Sequence, residues 1–383
     1  MIKREILCVF IALAITVSGF SEKIEVKGTA PTFKTNDSSI QEFIPKFNEQ
    51  LEKAFNGIVD DMNGIINDTV PEGFINSNDI LGGFGNASIF ATHGATMRAY
   101  GEYKSFSISL GGIVGLQIPP NTMDLANGDI DKFDELTFGI NPQAFNIHVG
   151  FNPSSLIKVM PENLYLGLRI GFFGLPNMDI PMNEGLNASL NFNTFTIGVT
   201  ANYQLIPSIN LGLILWRGLN VGSGLIFQTT KLDLSIPLDK MNAPIGDAGT
   251  LTGLSLALDP TVLLNVNINT VTIPVEIVTA VKLIFLNIPL GFGFDIGFGS
   301  SDLSFGLKSG VNIEGAQSSK LQPDKSGSLS VGISNKAPPR FFNLKLITGL
   351  GFAFGEKFAL DFPFTYYFTS NGFNIGMTFG LRF

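Results

Sequence analysis

From about residue 86 to the last residue the chain alternates, with apolar side chains at every second position for ten or more residues at a time. A period of two is the signature of a β-strand, whose successive side chains point to opposite faces. In "SFSISLGGIVGLQI" the apolar set is Phe106, Ile108, Leu110, Val114, Leu116 and Ile118, and Ser105, Ser107, Ser109, Gly111, Gly115 and Gln117 lie between them. "AFNIHVGF" sets Phe145, Ile147, Val149 and Phe151 against Asn146, His148 and Gly150. "NLYLGLRIGFF" and "TFTIGVTANY" repeat the pattern, and further strands read at 208–216, 218–230, 231–237, 251–270, 272–285, 287–299, 301–313 and 327–335. The chain closes on a meander of three strands, with turns at Gly355-Glu356 and at Ser370 to Gly372.

Strand length and the chemistry of the second face decide which solvent meets the apolar side. Strands of globular domains average about five or six residues, whereas a tilted strand crossing a bilayer needs roughly 9 to 11. The alternating segments match the membrane value. Their apolar face is Leu, Ile, Val and Phe, and their other face is Gly, Ser, Thr and Asn with occasional charges, which suits a narrow wet lumen. The expectation is an all-β transmembrane fold, an antiparallel barrel with lipid outside, rather than a soluble Greek-key or β-helix protein. At roughly 20 residues per strand and connection, residues 86–383 make about 14 strands, with 12 to 16 within range.

Composition fits. Mean hydropathy is +0.29 and charged residues are 15%, yet beyond the first residues no run of 18 apolar residues occurs, so the apolar content is spread through alternation. The net charge of −8 argues against a nucleic-acid partner, which needs a basic surface. Thirty-five phenylalanines stand against one Trp and six Tyr, so Phe takes the place of the usual Tyr and Trp girdle.

The first residues read as a secretory signal peptide over 1–19, with Lys3 and Arg4 ahead of an apolar stretch from Ile6 to Val17 and cleavage after Gly19, or after Ser21. The single cysteine, Cys8, falls inside it, which leaves no disulfide framework. Residues 20–75 form a separate helical segment. Ile40, Phe43, Ile44, Phe47, Leu51, Phe55, Ile58, Val59, Met62, Ile65 and Ile66 recur at three and four, with Asp37 or Ser38 as cap and Pro45 in the first turn. Such an amphipathic helix has to bury its stripe, either as a plug in the lumen or beneath the barrel in the periplasm. "VPEGFINSNDILGGFGN" reads as turn residues between this helix and the strands.

The terminal strand Phe373 to Phe383, apolar at every second place and ending in an aromatic residue, resembles that of the bacterial outer-membrane β-barrel (porin-like) class. The resemblance implies the outer membrane of a Gram-negative-type envelope as location, outer-membrane lipid and the barrel-assembly machinery as partners, and Phe379, Leu381 and Phe383 as the assembly signal. A barrel of about 14 strands preceded by a helix also resembles the long-chain fatty-acid transporter family, which would imply a hydrophobic cargo. That family's Asn-Pro-Ala has no counterpart, since "NPQA" at Asn141 to Ala144 and "NPSS" at Asn152 to Ser155 sit among the strands.

Polar-face parity selects His148, Arg169, Glu276, Lys282, Asp295, Lys308, Lys345, Lys357, Asp361 and Arg382 as pore-lining candidates, either setting selectivity or pairing with one another to stiffen the wall. A charge on the lipid face costs about 2 to 4 kcal/mol near the midplane, and the apolar parity carries none. Arg98 and Arg217 lie where the phase is unclear. The only histidines, His93 and His148, have no Ser or carboxylate beside them by spacing and no metal-type cluster is present, so neither enzyme activity nor a cofactor is expected. "GFGFDIGFG" has the wrong glycine spacing for a dinucleotide loop, and its glycines read as a crowded inner wall. The functional expectation is passive passage of small solutes. A plugged transporter of hydrophobic molecules and a surface adhesin or antigen on a barrel scaffold are the alternatives, and a homo-oligomer fits any of them.

Overall fold

A computed structural model describes residues 25–69, 77–92, 106–118, 138–181, 187–238, 240–245, 253–315, 318–355 and 357–383. The expected signal peptide, His93 and Arg98 lie outside these residues. Two helices, α1 (Ile44–Thr69) and α2 (Ser77–Phe90), precede most of the sheet. The strands begin with β1 (Glu25–Thr29) and β2 (Thr32–Lys34) ahead of α1, and β3 (Phe106–Gln117), β4 (Gly139–Phe151), β5 (Leu164–Pro181) and β6 (Asn187–Ile206) follow α2. Next come β7 (Ile209–Asn210), β8 (Ile214–Pro237), β9 (Met241–Pro244), β10 (Ser255–Leu283) and β11 (Leu286–Glu314). The last five are β12 (Gln322–Lys325), β13 (Gly327–Ala337), β14 (Phe342–Phe354), β15 (Phe358–Tyr367) and β16 (Gly372–Arg382).

Among the described residues fourteen strands share one antiparallel sheet, and ten of them close into a ring. Around the ring the order is β3, β4, β5, β6, β8, β10, β11, β14, β15 and β16, and β16 pairs back with β3 in a register that sets Phe379 against Leu110 and Arg382 against Ser107. The ring is narrower than the strand count read from the sequence because β8, β10 and β11 run for 24, 29 and 29 residues. Each of these strands reads in the sequence as two. The breaks fall near 230, 271 and 300, where the apolar residues change parity while the backbone continues. Similarly, β5 continues to Pro181 past a register shift between Leu175 and Met178.

The parity change records a change of solvent. On β10 the outward side chains are Asn265, Asn267 and Asn269, then Val271, Ile273, Val275 and Ile277, while the inward set passes from Leu256, Leu258, Val262, Val266 and Ile268 to Thr270, Thr272 and Glu276. On β11 the outward Phe292, Phe294 and Phe298 give way to Ser300, Asp302 and Ser304, on β8 Phe227 gives way to Lys231, and on β6 Asn193 gives way to Phe195. The register aligns these points at one level, with Thr194 opposite Thr230, Thr230 opposite Ile268 and Ile268 opposite Ser301. On one side of that level the sheet is apolar outside and polar inside, as lipid requires. On the other side it is an ordinary water-facing sheet with an apolar core.

The water-facing part forms a module. Its sheet is extended by β13 on β11 and by β1 on β13, and α1 covers its inner face. Phe47, Leu51 and Phe55 of α1 are fully buried in a core with Val26, Leu256, Leu258, Val262, Phe305, Leu307, Val311, Leu329 and Val331. Asn48 and Asn63 on α1 tie the helix to the strands: each side-chain oxygen accepts from a backbone N–H, of Phe33 at 3.0 Å and of Val26 at 2.8 Å. The amphipathic helix foreseen in the sequence is therefore real, and its stripe through Phe47, Leu51 and Phe55 is buried in this module outside the ring.

The second helix is a correction to the sequence reading. Residues 77–90, expected as turn residues running into a strand at 86, are helical, and the first ring strand begins at Phe106. Every residue of α2 from Leu81 onward is buried or half-buried. A helix surrounded on all sides needs no polar face, so its sequence "SNDILGGFGNASIF" carries no stripe of period 3.6.

Candidate functional site: the occupied lumen

Helix α2 enters the ring from the module. Near its start Leu81 packs with Val266, Ile268, Leu303 and Ala337 at the boundary level, and near its end Phe90 stacks on Tyr367 with ring centroids 4.0 Å apart. The walls admit the helix through glycines that face inward. A Cβ on Gly115 would meet the backbone at Ala87 and Ala91, and one on Gly372 would meet the Phe90 ring. Gly297, in the run read from sequence as a crowded inner wall, faces Ile89 in the same way.

The end of α2 is capped by side chains of β5 and β16 and by Thr92 just beyond the helix. Arg169 Nη2 donates to the Ala91 carbonyl at 3.2 Å, Asn374 Nδ2 donates to the Phe90 carbonyl at 2.8 Å, and Thr92 Oγ1 donates to the Ile89 carbonyl at 2.6 Å. The last carbonyls of a helix lack partners within it and carry partial negative charge, so a guanidinium there is favourable twice over. Arg169 is itself held, with Nε donating to Asn146 Oδ1 at 2.9 Å and Nη2 to Gln143 Oε1 at 3.1 Å. Gln143 Nε2 in turn donates to Thr196 Oγ1 at 2.8 Å and Gln228 Oε1 at 2.7 Å, across β4, β6 and β8. Higher on the helix, Ser88 Oγ lies 3.2 Å from Thr270 Oγ1, and Asn86 Oδ1 accepts from the Arg340 backbone at 2.6 Å.

A second polar group fills the wall beside it. Lys345 is paired with Glu276 and, at 2.5 Å, with Asp295, and all three side chains are at most 2% exposed. Two carboxylates around one ammonium, buried in the ring, fix β10, β11 and β14 relative to each other.

The family model described as Lsa36-like matches residues 28–381. The chain belongs to the Lsa36-like family. The match runs through module and ring together, so the family's unit contains both. A search of curated proteins finds no match. Among solved structures, the chain is similar to the translocator domain of the autotransporter NalP from Neisseria meningitidis, at 9% identity over 73% of this chain and 88% of that one, with a TM-score of 0.26. It is also similar to the CymD monoaromatic hydrocarbon channel, at 10% identity over 77% and 94% with a TM-score of 0.26. A third similar structure is a major outer membrane protein from Thermus thermophilus, at 12% over 60% and 98% with 0.25. This Lsa36-like chain is a transmembrane barrel of the outer-membrane type, as its closed ring and its inverted polarity require.

The polar-face candidates divide into three groups. Arg169, Glu276, Asp295, Lys345, Asp361 and Arg382 point into the ring and are buried. His148, half-buried, has Nε2 3.4 Å from Thr200 Oγ1, and Lys282, also half-buried, sits beside the turn after β10. Lys308 and Lys357 are corrections. Lys308 is exposed on the outer face of the module, because the polar parity points outward above the boundary, and Lys357 is exposed in the turn before β15. Phe379 and Phe383 are exposed on the lipid face, with Leu381 half-buried between them. The sequence reading passed over Gln143, Asn146, Gln228, Asn374 and Tyr367; parity would have found the last four, whereas an irregularity in β4 between Gln143 and Asn146 turns Gln143 inward against the parity of Phe145. Arg217, left unassigned, is fully buried.

Proposed function

We propose that this Lsa36-like protein is a closed barrel that anchors the sheet-and-helix module and displays it at the cell surface, the scaffold alternative among the functions considered from sequence. The observation that carries this reading is the lumen: a capped helix occupies it, and the polar side chains around that helix are buried. The sidedness follows from the connections. Outer-membrane barrels keep short turns in the periplasm and longer loops outside. Leu283 to Leu286 is a tight turn at the end that also holds Phe383, and β14 and β15 are joined there by a short connection; the twelve residues between β4 and β5 are the longest connection at that end, while the module and the longer connections, between β3 and β4, β8 and β10, and β11 and β14, lie at the opposite end. A channel that conducts once α2 withdraws is a second reading, favoured by the small residues that α2 presents to the wall.

Two readouts test the display reading. In intact cells a cysteine placed by Lys308→Cys should react with a membrane-impermeant maleimide, and one placed by Lys357→Cys should react only after permeabilisation. The reverse pattern would overturn the sidedness. In planar bilayers the refolded full chain should give no stable conductance steps, and large stable steps would overturn the closed barrel in favour of a porin.

A further inference from the structure

The end of the ring away from the module is unusual for a rim that meets water. Three successive connections there, between β4 and β5, β6 and β8, and β10 and β11, expose large apolar side chains. Val159 is 93% exposed, Leu211 68%, Leu213 79% and Ile284 71%. The chain from Gln204 to Trp216, "QLIPSINLGLILW", holds no charge, and neither does "LIFLNIPL" from Leu283 to Leu290. In the first connection Lys158 and Glu162 supply the only charges. On the other half of the same rim the turn before β15 carries an exposed lysine, Lys357.

We propose that the apolar half of this rim is immersed in the bilayer, its turns buried among the acyl chains of the periplasmic leaflet rather than standing in water. The patch is continuous with the lipid-facing belt: Leu205 and Tyr203 lead to it on β6, Leu225 and Phe227 on β8, and Ile277 on β10. The reading accounts for Trp216. This side chain flanks the patch, where Ile209 pairs with it, and its Nε1 donates to Thr279 Oγ1 at 2.7 Å. An indole whose N–H is satisfied within the protein does not need the headgroup layer that usually holds Trp at the interface.

Trp216 is the only tryptophan, so the full chain reports its own depth. Refolded into phosphatidylcholine vesicles, its fluorescence should be quenched at least twofold more by lipids brominated at mid-chain than by lipids brominated near the carbonyl. Stronger quenching by the shallow bromines would overturn the immersion. A second measurement does not depend on Trp216: with Cys8→Ser as background, a thiol placed by Leu213→Cys should react at least tenfold more slowly with a membrane-impermeant maleimide than one placed by Lys357→Cys at the same end. Equal rates would overturn the proposal. So would protection that disappears with one barrel per lipid nanodisc, because that would assign the patch to contact between copies.

Discussion

Below Val271 strand β10 faces acyl chains, and above Asn269 it faces water, with no change of pitch or pairing partner between. The lower half buries Thr272 and Glu276, leaves Val275 half-buried and exposes Ile277, and the upper half buries Leu258 and Val262 and exposes Asp259 and Asn265. Backbone geometry is thus indifferent to solvent, and the side chains alone assign each stretch to one. The same two halves separate two kinds of polar group. Inside the ring a charge has to be fully partnered, as Lys345 is with Glu276 and Asp295. On the module the Lys336–Asp302 pair, at 3.3 Å, sits in water and contributes little.

That contrast can be broken by experiment. Lys345→Met leaves two buried carboxylates facing each other and should cost about 3 to 5 kcal/mol of unfolding free energy. Lys336→Met, which removes an exposed partner, should cost about 0 to 1 kcal/mol. Urea titration of both variants in lipid vesicles gives the two values, and equal costs would mean the lumen is no drier than the surface. The boundary itself is sharpened by a pair of arginines on one face of β10. Ile277→Arg should lose about 2 to 4 kcal/mol, and Asn267→Arg, on the water side of the parity change, should stay within about 0.5 kcal/mol of the parent. Similar losses would move the membrane past the parity change. The smallest effect belongs to the module. The Ser39 hydroxyl and backbone N–H both donate to Asp37, at 2.6 and 2.9 Å, and hold its carboxyl below the ordinary aspartate range. A lowered carboxylate stabilises the fold above its unfolded value and loses that contribution as pH falls through the folded one. Acid titration of circular dichroism should therefore show a slight early loss around α1 in Asp37→Asn relative to the parent, confined to pH values above the acid transition.

Much of this contrast is legible in the sequence, and its failures are instructive. The alternation of Phe373 to Phe383 and the amphipathic stripe through Phe47, Leu51 and Phe55 both come from periodicity and both appear in the structure. The parity change on β8, β10 and β11 is present in the sequence too, but there it looks like the start of a new strand, because alternation alone cannot distinguish a turn from a change of surroundings. Helix α2 is illegible for the opposite reason: enclosed on all sides, Gly82, Gly83, Gly85 and Ala87 have no face to advertise. The grouping of Glu276, Asp295 and Lys345 depends on stagger between strands, which sets Pro274 opposite Asp295 and Gly293 opposite Lys345. Parity says which way a side chain points and nothing about its neighbour across the ring.

Phe90, at the end of α2, lies within a ring whose ten strands all follow it in the chain. The seam between β16 and β3 completes that ring, and once its eleven paired residues are joined α2 is enclosed by strands made after it. The carboxy-terminal strand is therefore a clasp around α2 as well as a wall.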